Sequence, residues 1–339
     1  MTAADARPLL GLSLGDMTGI GPEISVKLLA SGKLRDVARI VVIGDARVLD
    51  LGCRDAGVTP AWRSYDKAAA VDWSRDEIPL LDLRNVDPAT IPRGESSAES
   101  GRLSGETLQR MTELAHAGEI EGVTFAPLNK GALHKGGWKY LDEHQMFAAW
   151  NQHKGFFGEM NVIEQFSTFR VTSHVALRQA LDMITPERIA SAVHLADDSL
   201  RAAGIAKPRI GVAALNPHCG EGGLFGDEEI RIIGPAIAAA GSEGIDARGP
   251  YAPDTVFMRA RHAPGHPGEF DFVVAMTHDH GLIPVKYLGV EQGVNVTLGL
   301  PMVRTSPDHG TAFDIAGTGR ADPASLVAAA RMARRLAGA

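Results

Sequence analysis

The sequence has few cysteines, no long apolar run and no excess of basic residues. Its two cysteines, Cys53 and Cys219, lie far apart, so they provide no disulfide framework, and a reducing cytoplasmic compartment is expected. No apolar stretch approaches the roughly 18 residues that a membrane span needs. The net charge of -7 argues against general nucleic-acid binding, which requires a basic face. The first residues lack a basic segment followed by a long apolar run, so no signal peptide is predicted.

The composition that remains is typical of a globular protein with more than one domain. Hydrophobic residues make up 45% of the chain and charged residues 22%. The 339 residues are too many for one ordinary hydrophobic core. We therefore expect two domains.

Short apolar segments alternate with helical ones along the chain. Leu9–Leu14 is followed by a glycine-rich turn, a helix that begins near Pro22 and a second strand at Arg39–Gly44. This order predicts a parallel unit with a right-handed crossover, and hence an α/β fold. Further strands are predicted at Ile78–Leu83, Val123–Ala126, Glu164–Thr172, Arg209–Leu215, Phe272–Met276 and Val294–Leu300. Helices are predicted at Gly105–Ala117 and from Ala321 onward. The segment TSHVALRQALDMI, residues 172–184, is predicted to begin a helix with His174 in its first turn.

Two glycine-containing stretches lie between the predicted strands and helices. The turn GDMTGIGPE follows a strand at its carboxyl end, where ligands of open α/β sheets bind. Its spacing differs from GxGxxG, so it is either a different kind of ligand site or a tight structural turn. The small, polar stretch Gly94–Gly101 is predicted to be a loop.

The segment Met276–Gly319 combines many glycines with histidine, lysine, arginine and asparagine, and it has no continuous helical period. Polar groups in such number are costly to bury without partners. Strand-like Val294–Leu300 lies between the polar clusters. We interpret the segment as part of an active site laid over a sheet.

Three histidines follow apolar segments closely. His174, His218 and His278 each lie at or just beyond the end of a predicted strand. Three such histidines can bind a divalent cation and leave positions open to substrate. Each alone is more often a hydrogen-bonded structural histidine, and no short HxxxH spacing links the three. Lys130, after Val123–Ala126, is either a site residue or a solvated loop lysine.

Several motifs closely resemble the 4-hydroxythreonine-4-phosphate dehydrogenase family, in order and over almost the full chain. They are GDMTGIGPEI, TSH at Thr172–His174, NPHCGEGG, DTVF at Asp254–Phe257 and the segment Met276–Gly319. In addition, HGTAFDIAGTG at His309–Gly319 is similar to a loop of isocitrate and isopropylmalate dehydrogenases, which share that family's fold.

The resemblance implies a two-domain isocitrate/isopropylmalate dehydrogenase-like α/β fold with parallel and mixed sheets. Residues 1–135 plus 295–339 would form the cofactor-side domain. Residues 136–294 would form a central domain with the metal site and the dimer interface. The implied assembly is a homodimer with shared active sites, and the implied cofactors are NAD and a divalent metal (Zn, Mg, Mn or Co).

The resemblance also assigns roles to individual residues. Metal ligands fall on His174, His218 and His278, substrate contacts on His144, Gln145, Lys286, Asn295 and Arg304, and cofactor contacts on His309, Gly310, Asp314 and Gly317. Lys286, Asp254 and Asp279 are the catalytic candidates. The two aspartates would transfer protons or orient ligands, or they are turn residues. His280 stands where the family usually has glutamine, and we expect it to lie next to the metal ligands without binding the metal itself.

The implied reaction is NAD- and metal-dependent oxidation and decarboxylation of an anionic 3-hydroxy acid, which the family carries out in pyridoxine biosynthesis. Expected substrates are 4-hydroxythreonine 4-phosphate, threonate 4-phosphate or erythronate 4-phosphate. However, the family's GHTE motif is EHQM here, so Gln145 replaces a hydroxyl and Glu143 adds a negative charge near the expected phosphate. An aromatic dihydrodiol carboxylate, as in terephthalate dihydrodiol dehydrogenases, is the alternative substrate. A non-catalytic metabolite-binding protein is the alternative of another class.

Overall fold

The computed structural model describes residues 6–338, which form two compact units. The first unit contains the chain up to His153 together with Leu300–Gly338, and the second is Lys154–Gly299. The sequence places these changes at 135/136 and 294/295. In the structure the segment after residue 135 belongs to the first unit because Phe147 is buried there, with its ring stacked 5.9 Å from that of Phe125.

The first part of the chain alternates strands and helices. Its elements are β1 Leu9–Ser13, α1 Gly21–Ala30, β2 Arg39–Gly44, α2 Ala46–Ala56, β3 Trp62–Ser64, β4 Ile78–Asp82, α3 Ala98–His116, β5 Gly122–Phe125, α4 Lys130–Lys135 and α5 Glu143–Trp150.

The second unit follows, and the chain then returns to the first. The elements of the second unit are β6 Gly158–Val162, β7 Ser167–Arg170, α6 Leu177–Asp182, α7 Pro186–Ala202, β8 Arg209–Ala213, α8 Gly234–Ser242, β9 Asp246–Tyr251, α9 Val256–Ala260, β10 His262–Ala263, β11 His266–Pro267, β12 Phe272–Ala275, α10 His278–Gly289 and β13 Val294–Leu298. The returning elements are β14 Val303–Pro307 and α11 Ala324–Ala337.

The two units differ in the direction of their strands. In the first, the order β3-β4-β2-β1-β5-β14 is parallel throughout. In the second, the order is β13-β6-β7-β12-β8-β9, and only β6 runs antiparallel to its two neighbours. All five residues of β1 are buried, as a strand covered on both faces requires. The predicted α/β class with parallel and mixed sheets is confirmed.

Two local predictions are wrong. The expected loop Gly94–Gly101 ends early, because α3 begins at Ala98. The Ser97 hydroxyl caps this helix by accepting from the Ser100 amide at 3.0 Å. His174 does not lie in the first turn of a helix. It precedes α6 and has a φ of +52°.

The segment Met276–Gly319 contains a helix that its sequence pattern hides. Helix α10 continues through Pro284, and its buried positions include Gly281, Leu282 and Val285. This core-facing stripe is short, and the proline and glycines mask its period. The helix places His278 and Asp279 in its first turn. Over residues 6–338, no helix combines the length and the apolar character that crossing a membrane requires.

Helices α3 and α4 approach closely at a glycine. A Cβ atom added to Gly101 would lie 1.8 Å from the carbonyl oxygen of Ala132, which is impossible without a backbone shift. The absence of a side chain at residue 101 therefore sets the position of α4, which starts at Lys130.

We predict that Gly101→Ala lowers the free energy of unfolding by about 3 kcal/mol, because the added methyl group overpacks this contact. Urea denaturation followed by circular dichroism measures the loss. The matched control is Gly241→Ala in α8, where no described atom beyond its own helix lies within 4 Å of the new methyl group. The control should be neutral or stabilising by up to about 1 kcal/mol. Equal effects of the two changes would contradict the packing argument.

Candidate active site and family

Two of the three predicted metal ligands come together in the second unit. His174 follows β7 and His278 follows β12, and these strands are parallel neighbours with Arg170 opposite Ala275. The pairing continues past the strand ends, where the Thr172 amide donates to the Met276 carbonyl at 3.1 Å. The two imidazole rings consequently lie with their centroids 5.5 Å apart.

A carboxylate orients the ring of His278, and a second carboxylate lies near the ring of His174. Nδ1 of His278 lies 2.7 Å from Oδ1 of Asp279, which directs the other ring nitrogen away from this contact. Such a carboxylate–histidine pair is typical of metal-binding histidines. Nε2 of His174 lies 4.0 Å from Oε2 of Glu159. The left-handed backbone at His174 is a strained conformation of the kind that clusters at functional sites.

The third predicted ligand, His218, lies in an unusual turn after β8. Five consecutive residues, His218 to Gly222, have positive φ angles between +43° and +75°. Within residues 6–338, no three histidine, cysteine or acidic side chains are grouped so that they could hold a metal ion. One chain therefore pairs His174 with His278 and does not gather all three histidines.

A buried carboxylate holds the His218 turn in place. Glu229, which is 5% exposed, accepts hydrogen bonds from the backbone amides of Leu215 and Asn216 at 2.9 and 2.8 Å. It also accepts from the Asn216 side-chain amide at 3.0 Å. Burial alone would raise the pKa of Glu229, but these hydrogen bonds outweigh it and lower the pKa below its usual range. The ionised carboxylate thus fixes the strained turn.

The predicted substrate contact Asn295 belongs to a buried polar network. Its side-chain amide donates to Glu159, and Arg170 forms an ion pair with the same carboxylate at 2.9 Å. Asn161 lies opposite Asn295 in the β6–β13 pairing and contacts both Glu159 and Arg170. Glu159, Asn161 and Arg170 are not among the residues predicted from the sequence. The available signal was Glu159 and Asn161 at alternate positions, and therefore on one face, of a strand.

The catalytic candidates Asp254 and Asp279 share a hollow of about 700 Å³ on the second unit, together with His280. Both aspartates are exposed, whereas His280 is partly buried. Burial lowers the pKa of His280 despite the opposing charge of Asp279, so the ring is neutral at neutral pH. Lys286 lies in the last turn of α10.

The first unit holds the other predicted substrate contacts. Arg304 on β14 is completely buried, with its guanidinium 4.5 Å from the centre of the Phe125 ring. It pairs with Glu143, the first residue of α5, at 3.2 Å. The next residue, His144, is 4% exposed, whereas Gln145 is exposed and donates its backbone amide to the helix-capping Asp142.

The predicted cofactor loop His309–Gly319 is tied to α1 and to the turn before it. The Ile20 amide donates to the Thr311 carbonyl at 3.0 Å, and Lys27 donates to the Gly319 carbonyl at 2.7 Å. His309 contacts the Ser325 hydroxyl at 2.6 Å. Gly310, Asp314 and Gly317 are exposed along this loop.

The architecture is similar to that of solved dehydrogenases. Isocitrate dehydrogenase from Methylococcus capsulatus matches at a TM-score of 0.50 and 16% identity, over 96% of this chain and 85% of that one, which indicates a shared fold. The 4-hydroxythreonine-4-phosphate dehydrogenase from Klebsiella pneumoniae matches at a TM-score of 0.83 and 41% identity, over 98% of this chain and 100% of that one. The fold class is therefore the isocitrate dehydrogenase-like α/β class.

Sequence relatives narrow this class to one family. The model described as pyridoxal phosphate biosynthetic protein PdxA matches residues 36–333. A 4-hydroxythreonine-4-phosphate dehydrogenase from Beijerinckia indica is 46% identical over 96% of this chain and 94% of its own length. A D-threonate 4-phosphate dehydrogenase from Salmonella typhimurium is 41% identical, over 97% and 98%. The chain belongs to the PdxA family, and the predicted family is confirmed.

We predict that Glu229→Ala lowers the free energy of unfolding at neutral pH by about 3 kcal/mol, because two buried backbone amides lose a charged acceptor. Thermal and urea unfolding measure the change. The control is Glu228→Ala, a partly exposed neighbour that accepts from the Asn216 side chain at 2.7 Å, where about 1 kcal/mol is expected.

The Glu229 contribution also has a defined pH dependence. Because the folded-state pKa is lowered, the stabilisation is complete above the ordinary glutamate pKa of about 4.3 and is lost as the pH falls through the folded-state value. The difference between wild type and Glu229→Ala should therefore shrink in acid. A difference that stays constant down to strongly acidic pH would contradict this assignment.

Proposed function

We propose that the chain is an NAD-linked, divalent-metal-dependent dehydrogenase that oxidises the CH–OH group of a four-carbon 3-hydroxy acid. The observation that carries the proposal is the His174–His278 pair at two adjacent strand ends, in a chain that matches named dehydrogenases over 96–97% of its length. Those relatives are named for 4-hydroxythreonine 4-phosphate and D-threonate 4-phosphate, so a 4-phospho acid is the proposed substrate class.

The residue types in the second unit suit a divalent metal, although one chain brings together only two of the three proposed histidine ligands. Two imidazoles lie side by side, and Asp279 fixes the tautomer of His278 by its contact with Nδ1. We infer that His218 completes the set in the assembled protein. A divalent metal, when bound, would lower the pKa of the substrate hydroxyl, and the nicotinamide would accept the hydride.

The side chains of this chain would supply position and proton transfer. Lys286 and Arg304 carry the positive charge that an anionic acid needs, and the Asn295 amide is fixed by Glu159. Asp279 and Asp254 are the proposed proton acceptors. Oxidation at C3 would produce a ketone β to the carboxylate, and such an acid loses carbon dioxide readily. The loop with His309, Gly310, Asp314 and Gly317 is the proposed NAD contact.

We further propose that the working form is a homodimer that uses the apolar face of α9 and α10. Met258, Ile283 and Tyr287 on this face are 68%, 66% and 89% exposed. Exposed apolar side chains in such number favour a partner surface. The face adjoins the first turn of α10, so a second copy seated there would lie beside His278 and Asp279.

The proposed function is tested by an assay of nicotinamide reduction. Purified protein is incubated with NAD or NADP, with each of Zn, Mg, Mn and Co, and with 4-hydroxythreonine 4-phosphate, D-threonate 4-phosphate or D-threonate. Metal-dependent reduction of NAD by at least one acid is expected, together with release of carbon dioxide. No reduction with any combination, and no thermal stabilisation by NAD or metal, would contradict it.

We predict that His218→Ala reduces turnover by about a thousandfold or more, because a metal ligand is lost, while the melting temperature of the metal-free protein stays unchanged. Elemental analysis of the purified variant should show reduced metal content. The matched control is His194→Ala in α7, a partly exposed histidine that pairs with Glu243 at 2.9 Å. The control should retain wild-type activity and metal. Near-normal turnover of the His218 variant would remove this residue from the site.

We predict that Ile283→Glu converts the dimer to a monomer, because an unpaired carboxylate in an apolar interface costs several kcal/mol, about a hundredfold or more in the dissociation constant. Sedimentation velocity measures the change, and turnover should fall with it. Leu141→Glu, on the other unit and 81% exposed in the wild type, is the control and should stay dimeric. A dimeric Ile283 variant would place the interface elsewhere.

A further inference from the structure

Four titratable side chains of the first unit form what we call the Glu143 cluster: Glu143, Lys130, His144 and Arg304. The Glu143 carboxylate lies 3.2 Å from the Arg304 guanidinium, 3.6 Å from the Lys130 ammonium and 3.9 Å from Nε2 of His144. Lys130 is the only one of the four that is largely open to solvent, with 53% of its side chain exposed.

The cluster carries more positive than negative charge. Two cationic side chains, Arg304 and Lys130, surround one carboxylate, and the imidazole of His144 lies beside them. Burial alone would raise the pKa of Glu143, but the charges of His144, Arg304 and Lys130 outweigh burial and lower it. Glu143 is therefore ionised at neutral pH and supplies the counter-charge for a completely buried arginine.

The position of the cluster also suits a ligand. Lys130 begins α4 just beyond the carboxyl end of β5, which is the side where open parallel sheets bind ligands. The guanidinium of Arg304 is held against the Phe125 ring, so its orientation is set before a ligand arrives. An anionic group that enters from the Lys130 side would compete with the Glu143 carboxylate for the same two cations.

We propose that Glu143 is a specificity-determining residue, whose carboxylate occupies the position on Arg304 and Lys130 that a substrate phosphate would take. It disfavours a dianionic phosphate relative to a hydroxyl, because two negative groups beside the same cations repel each other, whereas a hydroxyl can donate to the carboxylate. This inference rests on the proposed function. A 4-phospho acid remains the substrate class, but Glu143 makes the preference for it over the unphosphorylated acid smaller than it would be without this carboxylate.

The test compares one pair of acids on two proteins. The ratio of kcat/KM for D-threonate 4-phosphate to that for D-threonate is measured for wild type and for Glu143→Gln, which keeps the size of the side chain and one acceptor for Arg304. The variant should raise this ratio about tenfold or more, mainly through a lower KM for the phosphorylated acid. A ratio unchanged within about twofold would overturn the proposal.

Binding of inorganic phosphate provides a readout that does not need turnover. In calorimetric titration, Glu143→Gln should bind phosphate about tenfold more tightly than wild type. Glu113→Gln is the control, because Glu113 is an exposed carboxylate paired with Arg110 on the surface of α3. The control should match wild type. Equal phosphate affinity of all three proteins would overturn the role of Glu143.

A second variant covers the case in which Glu143→Gln does not fold. Lys130→Met removes an exposed cation and leaves the buried Arg304–Glu143 pair intact, so the fold is expected to persist. Lys130→Met should bind phosphate about tenfold more weakly than wild type does. An affinity equal to that of wild type would show that the cluster is not an anion site. If neither acid is oxidised by any variant, the proposed function fails, and the phosphate titrations alone decide the role of Glu143.

Discussion

Two arginines are buried on strands, one in each unit, and each requires a carboxylate beside it. The side chain of Arg304 in the first unit is 0% exposed, and that of Arg170 in the second is 1% exposed. A buried guanidinium is costly unless a carboxylate neutralises it. Glu143 pairs with Arg304 and Glu159 with Arg170, each within its own unit. Loss of either carboxylate would leave an uncompensated charge among packed strands.

The same two pairs position the proposed functional groups. Glu143 precedes His144 and approaches Lys130, whereas Glu159 accepts from Asn295 and lies 4.0 Å from His174. The counter-charges of the two arginines thus also contact or lie close to side chains that the family resemblance assigns to substrate and metal. In the first unit, the Glu143 carboxylate both neutralises Arg304 and lies next to Lys130, so in our proposal it influences which anions can bind.

The sequence predicted the features that depend on local order along the chain. The carboxyl ends of parallel strands lie at one edge of a sheet, so His174 and His278 could be expected on the same edge, and the pairing of β7 with β12 brings them together. The pairing of Glu159 with Arg170 could not be predicted, because it depends on the antiparallel register of β6 and β7. The strained turn at His218 was hidden for a similar reason. Its support, Glu229, begins a separate helical segment, Glu229–Ile233, that only the fold brings close.

The assignment of His174 and His278 as metal ligands is tested most directly by X-ray diffraction at the cobalt absorption edge, from crystals of the protein loaded with cobalt(II). An anomalous peak is predicted about 2.1 Å from ring nitrogens of both His174 and His278, with His218 of the same or a second copy as the third ligand. Catalytically active crystals in which cobalt contacts neither His174 nor His278 would contradict the assignment of these histidines to the metal.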